Sequence, residues 1–185
     1  MITEVLAEAK RRMEQATEHV GSEFATVRTG RANPQILHRI QVDYYGSPTP
    51  LQQIASFSVP EPRLLVVQPY DRGSINAIEK AIKASDLGLN PSNDGTLIRL
   101  SFPTPTEERR KELIRMVRHM AEEGRVAVRN VRRDVMRHLE ELVRNGDVGD
   151  DEERRAETQV QKLTDDHVKR IDDLLKHKEA EIMEV

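Results

Sequence analysis

The sequence predicts an α+β protein, an elongated antiparallel three-helix bundle that carries an inserted small β/α/β domain. Three observations predict it. Apolar residues recur at intervals of three and four over residues 2–29, 106–145 and 151–182, the period of a helix with one buried face. Alternation with a period of two is confined to the region between the first and second of these stretches. The composition is also lean, 37% hydrophobic with 33% charged and 3% aromatic residues, which suits long solvated helices better than a thick sandwich.

The first helix holds Ile2, Val5, Ala9, Met13, Ala16, Val20 and Val27 on one side and Lys10, Arg11, Glu14 and Glu18 on the other. Gly30 is its expected stop, and Asn33-Pro34 prevents continuation. Ile40, Val42 and Tyr44 then alternate with Gln41 and Asp43 as a half-buried strand, which Gly46-Ser47-Pro48-Thr49-Pro50 is expected to break. Further strands are expected at 56–59, 63–68 and 96–102. An amphipathic helix over 74–84 lies between the last two, with Ile75, Ile78 and Ile82 on its sheet side, and residues 87–95 read as a loop of turn formers.

Pro103-Thr104-Pro105 closes this block, and Thr106 is placed to cap the next helix, although Arg109 stands where a full capping box has Glu or Gln. That helix carries Leu113, Val117, Met120, Ala127, Val131, Val135 and Leu142 on its apolar face. Residues 145–150 form a turn. The last helix shows Val160, Leu163, His167, Ile171 and Leu174 on one face, and the acids Asp150, Asp151, Glu152 and Glu153 suit the positive end of its dipole. His167 reads as a core or seam residue rather than a ligand, because no histidine or carboxylate stands one turn away to share a metal.

Two antiparallel helices alone leave an apolar face of each exposed, and the first helix has the length to cover them. The expected domains are therefore 1–30 with 105–185, a discontinuous three-helix bundle, and 31–104, the inserted domain. The crossings Thr29-Gly30-Arg31 and Pro103-Thr104-Pro105 are candidate hinges, since motion is the default where two domains share short tethers.

The net charge of −3 conceals a local positive surface. Arg118, Arg125, Arg129 and Arg132, with Arg133 and Arg137 beside them, follow a face of the second long helix other than the apolar one. Between Arg125 and Arg137 five arginines face the single acid Asp134. Glu122 is spaced to pair with Arg118 and Arg125, whereas Arg129, Arg132 and Arg133 have no acid three or four residues away. Such a stripe suits a polyanion, and the scarcity of aromatics argues against reading unpaired bases.

No cysteine is present, which excludes disulfides and thiolate chemistry and fits a reducing cytoplasm. The N-terminal residues mix apolar and charged types without a run able to act as a signal or membrane span, so a soluble cytoplasmic protein is expected. No phosphate loop, dinucleotide fingerprint, zinc-protease or nucleophile-elbow motif occurs. The expectation is thus no enzyme, no catalytic residue, no metal and no cofactor, with a protein-binding helical scaffold as the alternative to a nucleic-acid binder.

Five strings bear on that choice: Arg28-Thr29-Gly30-Arg31-Ala32-Asn33-Pro34, Asp43-Tyr44-Tyr45-Gly46, Asp86-Leu87-Gly88-Leu89-Asn90-Pro91, Thr106-Glu107-Glu108-Arg109-Arg110 and Val128-Arg129-Asn130-Val131-Arg132-Arg133-Asp134. In order and separation, over almost the whole chain, they resemble the bacterial ribosome recycling factor family. The resemblance implies an L-shaped molecule of transfer-RNA-like outline whose bundle contacts large-subunit ribosomal RNA of the 70S ribosome. It implies a GTPase partner, the translocase elongation factor, with which the factor separates the subunits and frees messenger and transfer RNA. It implies RNA-binding roles for Arg132, then Arg129, Asn130 and Arg133, and next Arg28 and Arg31, which flank the hinge; Arg125 joins these candidates from the arginine stripe. A monomer is expected.

Overall fold

A computed structural model describes residues 1–184. The chain divides into two compact units, one of Met1–Thr29 with Thr106–Val185 and one of Gly30–Pro105.

The first unit is three long helices, α1 (Ile2–Thr26), α3 (Glu107–Arg144) and α4 (Asp150–Met183), with α2 (Ile75–Ala84) belonging to the other unit. Their core is one continuous cluster, including Met13, Val20 and Phe24 from α1, Val117, Ala121, Val128 and Leu139 from α3, and Val160, Ile171 and Ile182 from α4. At about 1.5 Å per residue α3 is about 57 Å long. Thr106 caps it, its hydroxyl accepting from the Arg109 N–H at 3.2 Å. At its far end Gly146, with φ +78°, lets the Gly146 and Asp147 N–H groups donate to the Val143 and Leu142 carbonyls, closing the helix before the turn into α4. Glu152 then accepts from the Gly149 N–H at 3.3 Å to start α4.

The buried face of α3 is not quite the expected one. Met120 and Ala127 are half-buried, while Ala121, Gly124, Val128 and Leu139 point inward. Gly124 is the tightest point: a Cβ added there meets Val20 Cγ2 at 2.2 Å and Ile171 Cδ1 at 3.3 Å, so absence of a side chain lets the three helices close. On α4, Thr164 and Lys178 join the buried set, and Leu174 is 36% exposed instead of buried. His167 is buried as expected, its Nδ1 donating to the Leu163 carbonyl at 2.7 Å and its Nε2 without a partner.

Helix α1 stops at Thr26, short of the expected end near Thr29, because Val27 turns extended (φ −81°, ψ 112°). Thr29 is nonetheless buried, donating to Glu181 Oε1 at 3.0 Å, and Glu181 also pairs with Lys178 at 3.4 Å.

The second unit contains a two-stranded ribbon, β1 (Gln41–Tyr44) with β2 (Ser47–Pro50), and a four-stranded antiparallel sheet. The sheet order is β3 (Ala55–Glu61), β4 (Leu64–Pro69), β6 (Ile98–Ser101) and β5 (Pro91–Asn93), with α2 (Ile75–Ala84) between β4 and β5 in the chain. Leu65, Val67, Ile98 and Leu100 pack with Ile75, Ile78 and Ile82 of α2, the three isoleucines read from the sequence. Two strands correct the sequence reading. The segment expected to break β1 pairs with it, because Tyr45 (φ 50°) and Gly46 (φ 84°) make a tight hairpin turn and a ribbon edge tolerates prolines 48 and 50. Residues expected to lie wholly in a loop supply β5, which pairs with β6.

Gly30 has φ +77° and no room for a side chain, since a Cβ would lie 2.8 Å from Arg63 Nη1 and 3.0 Å from Pro105 Cδ. Its carbonyl accepts from Arg63 Nη1 at 3.0 Å. No helix among the described residues is long and apolar enough to cross a membrane.

Candidate nucleic-acid interface

The arginines of the stripe, Arg118 to Arg137, divide into two groups once α4 is in place. Arg118 donates through Nε to Glu179 at 2.6 Å, a contact that holds its guanidinium above the ordinary arginine range. Arg125, whose side chain is only 18% exposed, donates to Asp172 at 2.7 Å and Glu122 at 2.9 Å. Burial alone would lower its pKa, but the two carboxylates outweigh burial and raise it. Arg129 reaches Glu122 at 3.4 Å across two helical turns. Glu122 therefore serves Arg125 and Arg129, and Arg118, which the sequence assigned to it, goes to α4 instead.

Towards the C-terminal end the pairing stops. Among the described residues, Arg132, Arg133 and Arg137 form no ion pair. They line an open groove of about 650 Å³ between α3 and α4, together with Met136 and Glu140 of α3 and Glu157, Thr158 and Gln161 of α4. A second hollow of about 310 Å³, lined in part by Arg129, Arg132 and Gln161, shares two of these residues. Arg132 Nε is shut off from solvent without a partner. Only its two terminal amino groups are therefore left to donate outward, and they present the guanidinium fork end-on. Asn130 and Arg133 are exposed on the adjoining turn.

The structure thus brings Arg129, Arg132 and Arg133 to one surface, with Asn130 beside them, and leaves Arg125 at its edge with its donors turned to the protein's own carboxylates. Arg28 and Arg31 belong elsewhere, exposed at the end of the first unit and the start of the second, and Arg31 is not an unpaired cation. Sequence reasoning missed the α4 wall. Its one available signal was the spacing of Glu157, Thr158 and Gln161, which places three polar groups on one helix face beside the buried Val160 and Thr164. The described residues contain no cluster of three or more histidines and carboxylates able to hold a metal ion. What the groove offers is fixed positive charge with convergent donors, suited to phosphate oxygens.

A family model described as ribosome recycling factor matches residues 20–183. The ribosome-recycling factor of Rubrobacter xylanophilus is 59% identical over 180 residues, covering 97% of each chain, and that of Saccharopolyspora erythraea 55% over 185 residues, covering 100% of each. A solution structure of a ribosome recycling factor superposes with a TM-score of 0.73 at 42% identity, covering 100% of this chain and 98% of the other. A second structural relative is a T. thermophilus ribosome recycling factor, described with E. coli elongation factor G bound to the E. coli post-termination complex. It gives a TM-score of 0.63 at 47% identity, with both chains covered completely.

Proposed function

The chain belongs to the ribosome recycling factor family, and from that premise we propose how its helical unit does the family's work. The protein is a translation factor of ribosome recycling, not an enzyme, that acts on the post-termination ribosome with elongation factor G. Its anchoring contact is to large-subunit ribosomal RNA in the cytoplasm, through the α3 groove. Arg132 and Arg133 take backbone phosphates, Arg129 and Asn130 extend the contact by one turn, and Arg125 flanks it. A-form RNA hides its bases in a deep narrow groove, so such a surface grips backbone and shape rather than sequence. The single observation that supports this reading is the run Arg132, Arg133 and Arg137, unpaired in an open groove while their neighbours Arg118 and Arg125 are neutralised.

Splitting a stable complex repeatedly needs a source of free energy, and a protein that only binds redistributes states without supplying it. The sequence has no nucleotide loop, so GTP hydrolysis by the partner provides that energy. The crossings at 29–31 and 103–105 serve as the hinge, with Arg28 and Arg31 flanking one of them. Two anchors support it: Thr29 is tied to Glu181 inside the helical unit, and Gly30 is packed against Arg63 inside the other, so flexing concentrates in the peptide between them.

The test is binding to purified large subunits, followed by subunit splitting with elongation factor G and GTP. Arg132→Ala is expected to weaken binding at least tenfold and to slow splitting, and Arg118→Ala to leave both within a factor of two. Equal behaviour of the two variants would remove the groove from the mechanism.

A further inference from the structure

The two walls of the groove differ in chemistry. The α3 side presents Arg132, Arg133 and Arg137, whose guanidinium groups only donate hydrogen bonds, together with Met136 and a single acid, Glu140. The α4 side presents Glu157, Thr158 and Gln161, and each is set to accept. Glu157 is a half-buried residue whose carboxylate is, among the described residues, in no ion pair. The Thr158 hydroxyl gives its one hydrogen to the Arg154 carbonyl at 3.0 Å, leaving only its lone pairs. Gln161 donates through its amide nitrogen to Asp165 Oδ1 at 2.9 Å; a carboxylate can only accept, so the amide orientation is fixed and its carbonyl oxygen stays available.

A site built for phosphate alone gains nothing from such a wall, since a carboxylate repels the anion that the arginines attract. A strand of RNA has a different pattern: every phosphate acceptor is accompanied by a ribose 2′-hydroxyl that can donate. We propose that the α4 wall is a ribose reader, so that one RNA strand lies in the groove with its phosphates towards Arg132 and Arg133 and its 2′-hydroxyls donating to Glu157 and Gln161. This rests on the RNA reading above and adds to it the discrimination of ribose from deoxyribose backbones. Glu157 then has the opposite sign to that of an incidental surface acid: removing it weakens binding of ribose RNA instead of strengthening it.

The experiment uses two A-form duplexes of one sequence, one with ribose and one with 2′-fluoro sugars, which keep the pucker and the phosphates but cannot donate. Each is titrated at low salt against the full chain as wild type, Glu157→Ala, Glu157→Gln, Gln161→Ala and Arg132→Ala, with thermal unfolding confirming that each variant folds. The wild type is expected to prefer the ribose duplex by about fivefold or more, the scale of one or two net hydrogen bonds. Glu157→Ala removes most of that preference by weakening the ribose duplex alone, Gln161→Ala removes part of it, and Glu157→Gln, which keeps a carbonyl acceptor, retains most of it. Equal wild-type affinity for the two duplexes, or a tighter ribose complex in Glu157→Ala, overturns the proposal while leaving the phosphate contact standing. Arg132→Ala is expected to weaken both duplexes alike; if it weakens neither, the RNA reading fails and takes this proposal with it.

Discussion

Replacing Gly124 by alanine sets helix propensity against packing, and the structure decides which wins. Alanine in a helix interior is favoured over glycine by about 1 kcal/mol. Its Cβ, however, would sit 2.2 Å from Val20 Cγ2, where carbon atoms prefer about 3.5–4.0 Å, and 3.3 Å from Ile171 Cδ1. Val20 is 1% exposed and β-branched, with essentially one rotamer open to it in a helix, so it has nowhere to turn. Overpacking of this kind costs about 1–3 kcal/mol, and an overlap this deep belongs at the upper end. The net expectation is a loss of about 1–2 kcal/mol, a fall in Tm of roughly 2–8 °C for a chain this size, followed by far-UV circular dichroism. The control is a double-mutant cycle with Val20→Ala, which empties the contested space. In that background Gly124→Ala becomes neutral or stabilising, giving a coupling of about 2 kcal/mol. A higher Tm for Gly124→Ala in the wild-type background, or additive effects in the cycle, would refute the claim that the three helices meet across a missing side chain.

Three further outcomes are expected. The logarithm of the binding constant for large subunits falls linearly with the logarithm of salt concentration, and Arg132→Ala, Arg133→Ala and Arg137→Ala each reduce the slope by about 1 whereas Arg118→Ala does not change it; a common effect of all four would deny the division between paired and unpaired arginines. Gly30→Ala forces a side chain into φ +77° against Arg63 and Pro105, costing about 1–3 kcal/mol in the second unit; unchanged thermal unfolding would show that the crossing relaxes freely. Asp94, which accepts from the Leu97 N–H, the Arg99 guanidinium and the Thr96 N–H, has its carboxyl pulled down to about 2. A depressed carboxyl stabilises the fold above its unfolded value near 4, and that contribution is lost as the pH falls through about 2. Asp94→Asn should therefore flatten the acid dependence of the second unit's stability, and a variant as acid-sensitive as the wild type would contradict this.

The helices were legible because each repeats its apolar residues for many turns, but the rotation of α3 was not. Hydrophobicity ranks Met120 above Gly124, whereas a helix wedged between two others selects for lack of volume at the closest approach, and only coordinates show where that is. Ser47–Pro50 was misread for a related reason: proline forfeits a donor, which breaks an interior strand but costs little on an edge whose N–H would face water. The arginine stripe was visible in α3 alone. Its division was not, because Asp172 and Glu179 lie 47 and 61 residues away from their partners and meet them only through the packing of α4. The end-on attitude of Arg132 was hidden likewise, since it depends on what covers Nε.

The position of the groove along α3 has a mechanical consequence. Arg132 lies about 39 Å along the helix axis from Thr106, where the chain crosses into the other unit. A rod clamped near one end acts as a lever arm: a tilt of about 10° at the clamp sweeps the free end through about 7 Å. The arm transmits that sweep only if it does not bend, and the close seating of Val20, Gly124 and Ile171 braces it between clamp and crossing. With the groove as the anchor proposed above, a small push on the far end is returned to it as torque.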